Sequence, residues 1–181
     1  SDIYRVGTLA TVERTIKSDG EMNVLVRGVS RIYLKSITKD SPYLVGDVIR
    51  LKETTTHNDK LEAMIRHLTT SFKEAVNLGK PVEFMNFMRL MSGVSASELT
   101  DQIASTLSVT TSDKQKLLET LDSNARARVV AENLAREIKI LELEQNIATK
   151  TQAKFSKNMK DAVLRERMAM IKKELGEDKE E

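Results

Sequence analysis

The sequence predicts an α+β fold: a partial β-barrel or curled antiparallel sheet, then a helical bundle that ends in a long projecting helix. Three observations predict it. Apolar residues alternate at a period of two through the first fifty or so positions, they recur every three and four residues after about Thr56, and neither Gly nor Pro occurs between Ser123 and Leu175. We therefore divide the chain into a truncated β subdomain (1–55), a helical bundle (56–121) and a long helix (122–181).

The β subdomain is expected to contain four strands in a meander. Even positions from Tyr4 onward form one fairly apolar face, and residues 18–20 form a turn in which Gly20 supplies a positive φ. Gly28 is expected to end the second strand, and residues 46–47 to form a bulge or bend. Four strands with open edges would be marginally stable alone, so we interpret the region as a truncated sheet.

Shorter helices should follow the sheet. Apolar residues at three- and four-residue spacing across 61–76 predict an amphipathic helix that stops at 79–81. Ser95 and Glu98 have the spacing of a capping box, and residues 112–115 repeat that device. These helices should pack as a small bundle.

The last element is predicted to be one continuous helix from about Ser123 to Leu175, on the order of 80 Å long. Its distal half cannot be buried within its own domain, so it must project, pair with another copy or continue into a further domain. Its first half carries one apolar stripe, which we predict to mediate coiled-coil pairing. The stripe consists of Val130, Leu134, Ile138 and Leu141.

Composition argues against several functions for this stretch of chain. The net charge of +2, from 29 basic and 27 acidic residues, gives no strong overall field toward nucleic acid or an anionic membrane. The sequence has no cysteine, only two histidines, and no apolar run of the roughly 20 residues that span a bilayer. It also has no phosphate-binding loop, and none of its serines stands in a Gly-x-Ser-x-Gly nucleophile elbow. We therefore expect no catalytic residue, no metal site, no cofactor site and no membrane contact here.

Two groups of apolar residues are candidate binding surfaces for unfolded protein. Methionine is flexible and polarisable, so Met-rich surfaces accept many apolar sequences. The first group lies in the Met- and Phe-rich segment 81–91, and the second on the distal half of the long helix. The alternative for the first group is that a short helix apolar on every side is core. The candidates are Phe84, Phe87, Met88 and Met91, and then Phe155, Met159 and Met168.

A basic stripe at helical spacing follows an acidic part of the long helix. It is formed by Lys150, Lys154, Lys157 and Lys160. Such lysines could make a weak contact with DNA phosphates, pair with acidic stretches of neighbouring helices, or form a solvated face. The residues alone leave these three alternatives open.

Three stretches together resemble the amino-terminal domain of the ATP-dependent Lon protease family. The first two are "RVGTLATVERTIKSDGEMNVLVRGVSRI" and "LLETLDSNARARVVAENLAREIKILELEQNI". The third, "VLRERMAMIKKELGE", is similar to a family signature at Leu164, Arg165, Glu166, Ile171, Glu174, Leu175 and Gly176. One departure is that residues 162–163 are Ala-Val where the family usually has Tyr-Tyr.

The resemblance implies a domain that recognises unfolded or degron-bearing proteins and helps to assemble a homohexamer. In that family, further strands precede the position of Ser1, and an ATPase module that uses ATP and magnesium and then a Ser-Lys protease domain follow the long helix. The resemblance also implies a bacterial cytoplasm, with an organelle matrix as the alternative. A purely structural oligomerisation or spacer domain and a nucleic-acid-binding module are the rival interpretations.

Overall fold

The computed structural model describes residues 3–18 and 20–175, and it confirms the α+β class. Its strands are β1 (Val6–Ser18), β2 (Glu21–Lys39) and β3 (Val45–Arg50), in one antiparallel sheet of order β1-β2-β3. Within the described residues, the sheet is open rather than closed into a barrel.

The expectation of four strands is wrong, because β2 continues through Gly28. Ala10 pairs with Gly28 and Leu9 pairs with Ser30, so Val29 is an extra residue on β2. A β-bulge of this kind absorbs one residue while the pairing resumes on both sides. Gly28 therefore marks an irregularity inside one 19-residue strand.

Two other glycines take the roles predicted for them. Gly20 has a φ of 83° in the turn after β1, whereas Asp19 of the same predicted turn lies outside the described residues. The pairing of β2 with β3 shifts register around Gly46. A Cβ at this position would lie 2.6 Å from both the Leu34 side chain and the Ser36 carbonyl oxygen. The close approach of the two strands therefore requires glycine.

Four short helices follow the sheet, each opened by a residue in extended conformation. They are α1 (Asp59–Asn77), α2 (Phe84–Met91), α3 (Ala96–Thr106) and α4 (Thr111–Glu119). Their ends follow local chemistry: Asn58 Oδ1 accepts a bond from the Leu61 N–H at 2.9 Å and caps α1, and Gly79 takes a φ of 102° just after that helix.

The predicted caps are only partly correct. Ser95 Oγ accepts a bond from the Glu98 N–H at 3.2 Å, as a capping box requires. In a complete capping box the Glu98 carboxylate would accept a bond from the Ser95 N–H, but here it pairs with Arg89 at 2.6 Å. The cap of α4 is Thr110, which accepts from the Asp113 N–H at 3.2 Å, so the expectation of a cap at Ser112 is wrong by two residues. Threonine is among the preferred N-cap residues, although it ranks below serine.

The last helix, α5, spans Ser123–Glu174 and confirms the long continuous element with its 52 residues. Asp122 caps it by accepting a bond from the Asn124 N–H at 2.9 Å. The beginning of α5 packs against α1 and α3, but every described residue after Leu141 is exposed. The distal part of α5 therefore projects from the bundle as predicted. Gly176 of the family signature lies outside the described residues.

The buried apolar core belongs to the helices. Its centre contains fully buried side chains from α1, α3 and α5, among them Leu68, Phe72, Ile103, Val130 and Leu134. Among the described residues, no apolar side chain of the sheet is buried in this cluster. The bundle therefore has its own core, and the sheet is attached to it by other means.

Candidate functional site

Helix α2 presents an apolar face to solvent. Phe84, Met85 and Met88 expose 70%, 68% and 48% of their surface. These positions share one side of a helix because residues three and four apart are neighbours. An apolar cluster this exposed is the kind of feature that marks interaction surfaces.

A neighbouring side of α2 anchors this face to the core. Leu90 is buried, and Phe87 and Met91 are half-buried against the core cluster. The ring centroids of Phe87 and Phe72 lie 6.2 Å apart, within the range of aromatic contacts. Of the four residues proposed on this helix, Phe84 and Met88 face solvent, whereas Phe87 and Met91 pack against the core. Met85 extends the solvent face.

The second predicted group, on distal α5, is exposed but does not form one stripe. Phe155, Met159 and Met168 expose about 60% of their surface each (63%, 61% and 59%). Met168 follows Met159 by nine residues, which is about two and a half turns of helix. The two methionines therefore lie on nearly opposite sides of α5, and a flat partner would not contact both.

The predicted helix-pairing stripe makes its contacts inside this chain. Val130, Leu134 and Ile138 are buried, Leu141 is half-buried, and all four belong to or pack against the bundle core. The helix that α5 contacts most in this region is α1. These side chains are therefore covered by the chain's own helices.

The polar candidates lie on the surface. The four lysines of the basic stripe are all exposed, as are the two histidines, His57 and His67. Over residues 3–18 and 20–175, no three His, Cys, Asp or Glu side chains lie close enough together to hold a metal ion.

A charged cluster that the sequence patterns did not indicate joins the sheet to the bundle. Arg31 of β2 and Arg126 of α5 are both buried, with 8% and 0% of their surface exposed. Arg31 donates to Glu53 and to Asp101 Oδ1, the latter at 2.8 Å, while its Nε donates to the Leu118 carbonyl at 2.9 Å. These partners come from the connector after β3, from α3 and from α4.

Arg126 completes the same cluster from the helix side. Its Nη2 donates to Glu53 Oε2 at 3.0 Å and to Ser97 Oγ at 2.8 Å, and its Nη1 donates to the Thr120 carbonyl at 2.6 Å. Its Nε lies 2.9 Å from Asp101 Oδ1. Two arginines thus face two carboxylates, so the buried charges are balanced.

The cluster shifts the pKa of its members. Burial raises the pKa of Glu53, but hydrogen bonds from Ser97 and Arg126 and the charges of Arg126 and Arg31 outweigh it and leave that pKa lowered. Burial likewise lowers the pKa of Arg31, but the hydrogen bond and charge of Asp101, together with Glu53, raise it overall. Both groups are therefore held in their charged forms.

Comparison with known families agrees with this architecture. A family profile described as "ATP-dependent protease La (LON) substrate-binding domain" matches residues 1–136. The chain belongs to the Lon substrate-binding domain family. The matched range includes the sheet, the charged cluster, the exposed α2 face and the beginning of α5.

The curated relatives of this Lon domain are longer proteins. The Lon protease of Syntrophomonas wolfei is 34% identical over 180 residues, which cover 99% of this chain and 22% of that relative. The Lon protease of Heliobacterium modesticaldum is 34% identical over 177 residues, again 22% of its length. The chain therefore spans about a fifth of the length of these proteins.

A solved structure shares the fold. The N-terminal domain of the Mycobacterium avium complex Lon protease matches with a TM-score of 0.59 and 20% sequence identity, over 75% of this chain and 73% of that one. Over residues 3–18 and 20–175 of this Lon domain, no helical segment combines the length and the hydrophobicity that a bilayer-spanning helix needs.

Proposed function

We propose that this domain recognises substrates and supports assembly for an ATP-dependent serine protease that degrades misfolded and regulatory proteins. The observation that carries the proposal is the solvent face of α2, where Phe84, Met85 and Met88 are exposed above a packed core. Membership of a substrate-binding domain family supports it.

The α2 face suits weak capture of unfolded or degron-bearing chains. Each contact would bury one or two apolar side chains, and methionine adapts to side chains of different shape. Such contacts are weak when single. In a homohexamer, six copies would raise the effective concentration of this surface, so that a substrate held by one domain rebinds to the next.

The chemistry of proteolysis belongs to the longer protein in this proposal. ATP and magnesium would act in an ATPase module, and peptide hydrolysis in a separate protease domain, while this domain holds the substrate. We propose a bacterial cytoplasm as the location. The present domain would carry no catalytic residue of its own.

Binding of one labelled protein, presented folded and then permanently unfolded, tests the recognition role. The variant carries Met85→Asp and Met88→Asp, both at exposed positions. A matched control carries Ala63→Asp and Thr70→Asp, which add the same two charges to exposed positions of α1. Circular dichroism checks that all three proteins are folded.

We expect the original domain and the α1 control to prefer the unfolded form, and the α2 variant to lose that preference. Equal, negligible binding of both forms by the original domain would contradict the recognition role and leave assembly as its main function. Equal loss in both variants would mean that added negative charge, rather than the α2 face, controls binding.

The distal part of α5 is the observation that favours an additional assembly role. It projects from the bundle with exposed apolar residues on more than one side, including Phe155 and Met168. Contact with a helix of another copy would remove these apolar side chains from water. Sedimentation of the domain with and without Phe155→Ser and Met159→Ser should show weaker self-association in the variant, and a monomer in both cases would argue against this role.

A weak contact with DNA is the remaining candidate, and the exposure of all four stripe lysines favours it. Replacing Lys150, Lys154, Lys157 and Lys160 with Gln should abolish an affinity that falls steeply as salt rises. A solvated face would show no affinity to lose.

A further inference from the structure

Sulfur chemistry in this domain is confined to methionine. The sequence contains eight methionines and no cysteine. Six of the methionines are exposed and two are half-buried against the core. The exposed ones are Met22, Met85, Met88, Met159, Met168 and Met170, and the half-buried ones are Met64 and Met91.

Two exposed methionines make up most of the α2 face. Met85 and Met88 lie three residues apart beside Phe84, so one short surface contains two accessible thioethers and one ring. Susceptibility to oxidation follows exposure. The half-buried Met91 on the same helix is packed against the core, which protects it relative to these two.

We propose that Met85 and Met88 are reversible oxidation sites that turn off apolar capture by α2. The proposal rests on the recognition role proposed above and adds its regulation. Hydrogen peroxide is the oxidant: its O–O bond breaks, one oxygen atom bonds to the thioether sulfur, and the other keeps both hydrogens and leaves as water. The sulfur loses two electrons and becomes a sulfoxide. Methionine sulfoxide reductases return it to the thioether with two electrons from a dithiol, and the oxygen leaves as water.

The physical effect follows from polarity. A sulfoxide oxygen is a strong hydrogen-bond acceptor, and an apolar side chain offers it no donor. Contact with such a side chain would therefore remove water from a polar group without replacing its hydrogen bond. Because both side chains are exposed and neither belongs to the core cluster, their oxidation should leave the helical core intact. Binding should therefore weaken without unfolding, by about tenfold or more.

Peroxide treatment followed by peptide mass spectrometry and the unfolded-protein binding assay tests this inference. The key variant carries Met85→Leu and Met88→Leu, which keeps apolar volume on the face but removes the sulfur. The matched control carries Met22→Leu on β2 and Met170→Leu on α5, two exposed methionines outside the α2 face. Both stereochemical classes of sulfoxide reductase are then added.

We expect oxidation at Met85 and Met88, about tenfold weaker binding by the original domain and by the matched control, and recovery with the reductases. The α2 Leu variant should bind equally before and after peroxide. Binding that survives full oxidation of Met85 and Met88, or an equal loss in the α2 Leu variant, would overturn the inference and leave the recognition role standing. No binding before peroxide would instead overturn the recognition role, and the inference with it.

Discussion

Arg31 and Arg126 approach the same carboxylate oxygen: Arg31 Nη2 lies 2.8 Å and Arg126 Nε 2.9 Å from Asp101 Oδ1. One arginine belongs to the sheet and the other to α5. The buried apolar cluster contains no described residue of the sheet. This shared carboxylate is therefore a main link between the sheet and the helical bundle.

Further hydrogen bonds reinforce the same junction. The Thr54 N–H donates to the Leu121 carbonyl at 3.1 Å, and the Ser123 N–H donates to the Thr54 carbonyl at 3.0 Å. Gln115 Nε2 of α4 donates to the Val6 carbonyl of β1 at 2.9 Å. The connector after β3 is thus fastened to the start of α5, next to Arg126.

Replacing Arg126 with Met should strongly destabilise the domain. Removing one member of a buried ionic cluster leaves carboxylates without their partner, which typically costs about 3–5 kcal/mol in free energy of unfolding. Urea unfolding measures the loss. The control is Arg128→Met at an exposed position on the same helix, for which a change within about 0.5 kcal/mol is expected. Equal small losses in both would show that the cluster contributes little.

The stability of the domain should fall at acidic pH partly through Glu53. Its pKa is lowered in the folded state, so its contribution is present above the unfolded value of about 4.3 and is lost as pH falls through the folded value. Unfolding free energy measured between pH 7 and pH 3 should therefore decrease less steeply in Glu53→Gln than in the original domain.

Some acid dependence should remain in that variant. The pKa of Asp113 is also lowered, first by the hydrogen bond from Thr110 and then by the hydrogen bond and charge of Lys116.

The Glu53→Gln variant should be less stable at pH 7 and approach the original domain at low pH. Parallel pH curves would show that Glu53 does not titrate differently on folding.

Leu134 should be a core residue rather than a contact between copies. It is fully buried, so Leu134→Ala should lower the unfolding free energy by about 2–5 kcal/mol. Leu143→Ala on the same helix removes the same atoms from a side chain that is 61% exposed, and its effect on folding should be much smaller. A Leu134→Ala variant of unchanged stability would contradict the packing of α5 against the bundle.

Gly46→Ala should destabilise the sheet, because the new Cβ would lie 2.6 Å from the Ser36 carbonyl oxygen, which is backbone and cannot rotate away. Overpacking of this kind costs about 1–3 kcal/mol. Gly7→Ala is the control, since a Cβ at that position would lie 3.9 Å from its nearest neighbour, the Ile32 side chain, which is an ordinary contact distance. Hydrogen exchange should show faster exchange in β2 and β3 of the Gly46 variant, and an unaltered pattern would contradict the close approach.

Much of the fold was predictable because it depends on local pattern. The apolar stripe across residues 61–76 predicted α1, since it reflects residues three or four apart on one helix face. The lack of Gly and Pro after Ser123 predicted α5, since these two residues disfavour a helix at their own positions. The misreading of Gly28 has a physical cause. Whether a glycine ends a strand or sits in a bulge depends on the partner strand, here Ala10 and Leu9.

The sequence by itself determined which regions are strand and which are helix, although not the number of strands, and which family the chain resembles, because neighbouring residues carry that information. Only the tertiary structure decided which side of α2 is exposed, since its apolar residues point in nearly every direction and the surrounding helices select the buried ones. The same holds for the charged cluster. Arg31 and Asp101 are 70 positions apart, and Arg126 and Glu53 are 73 apart, so only packing brings these charges together.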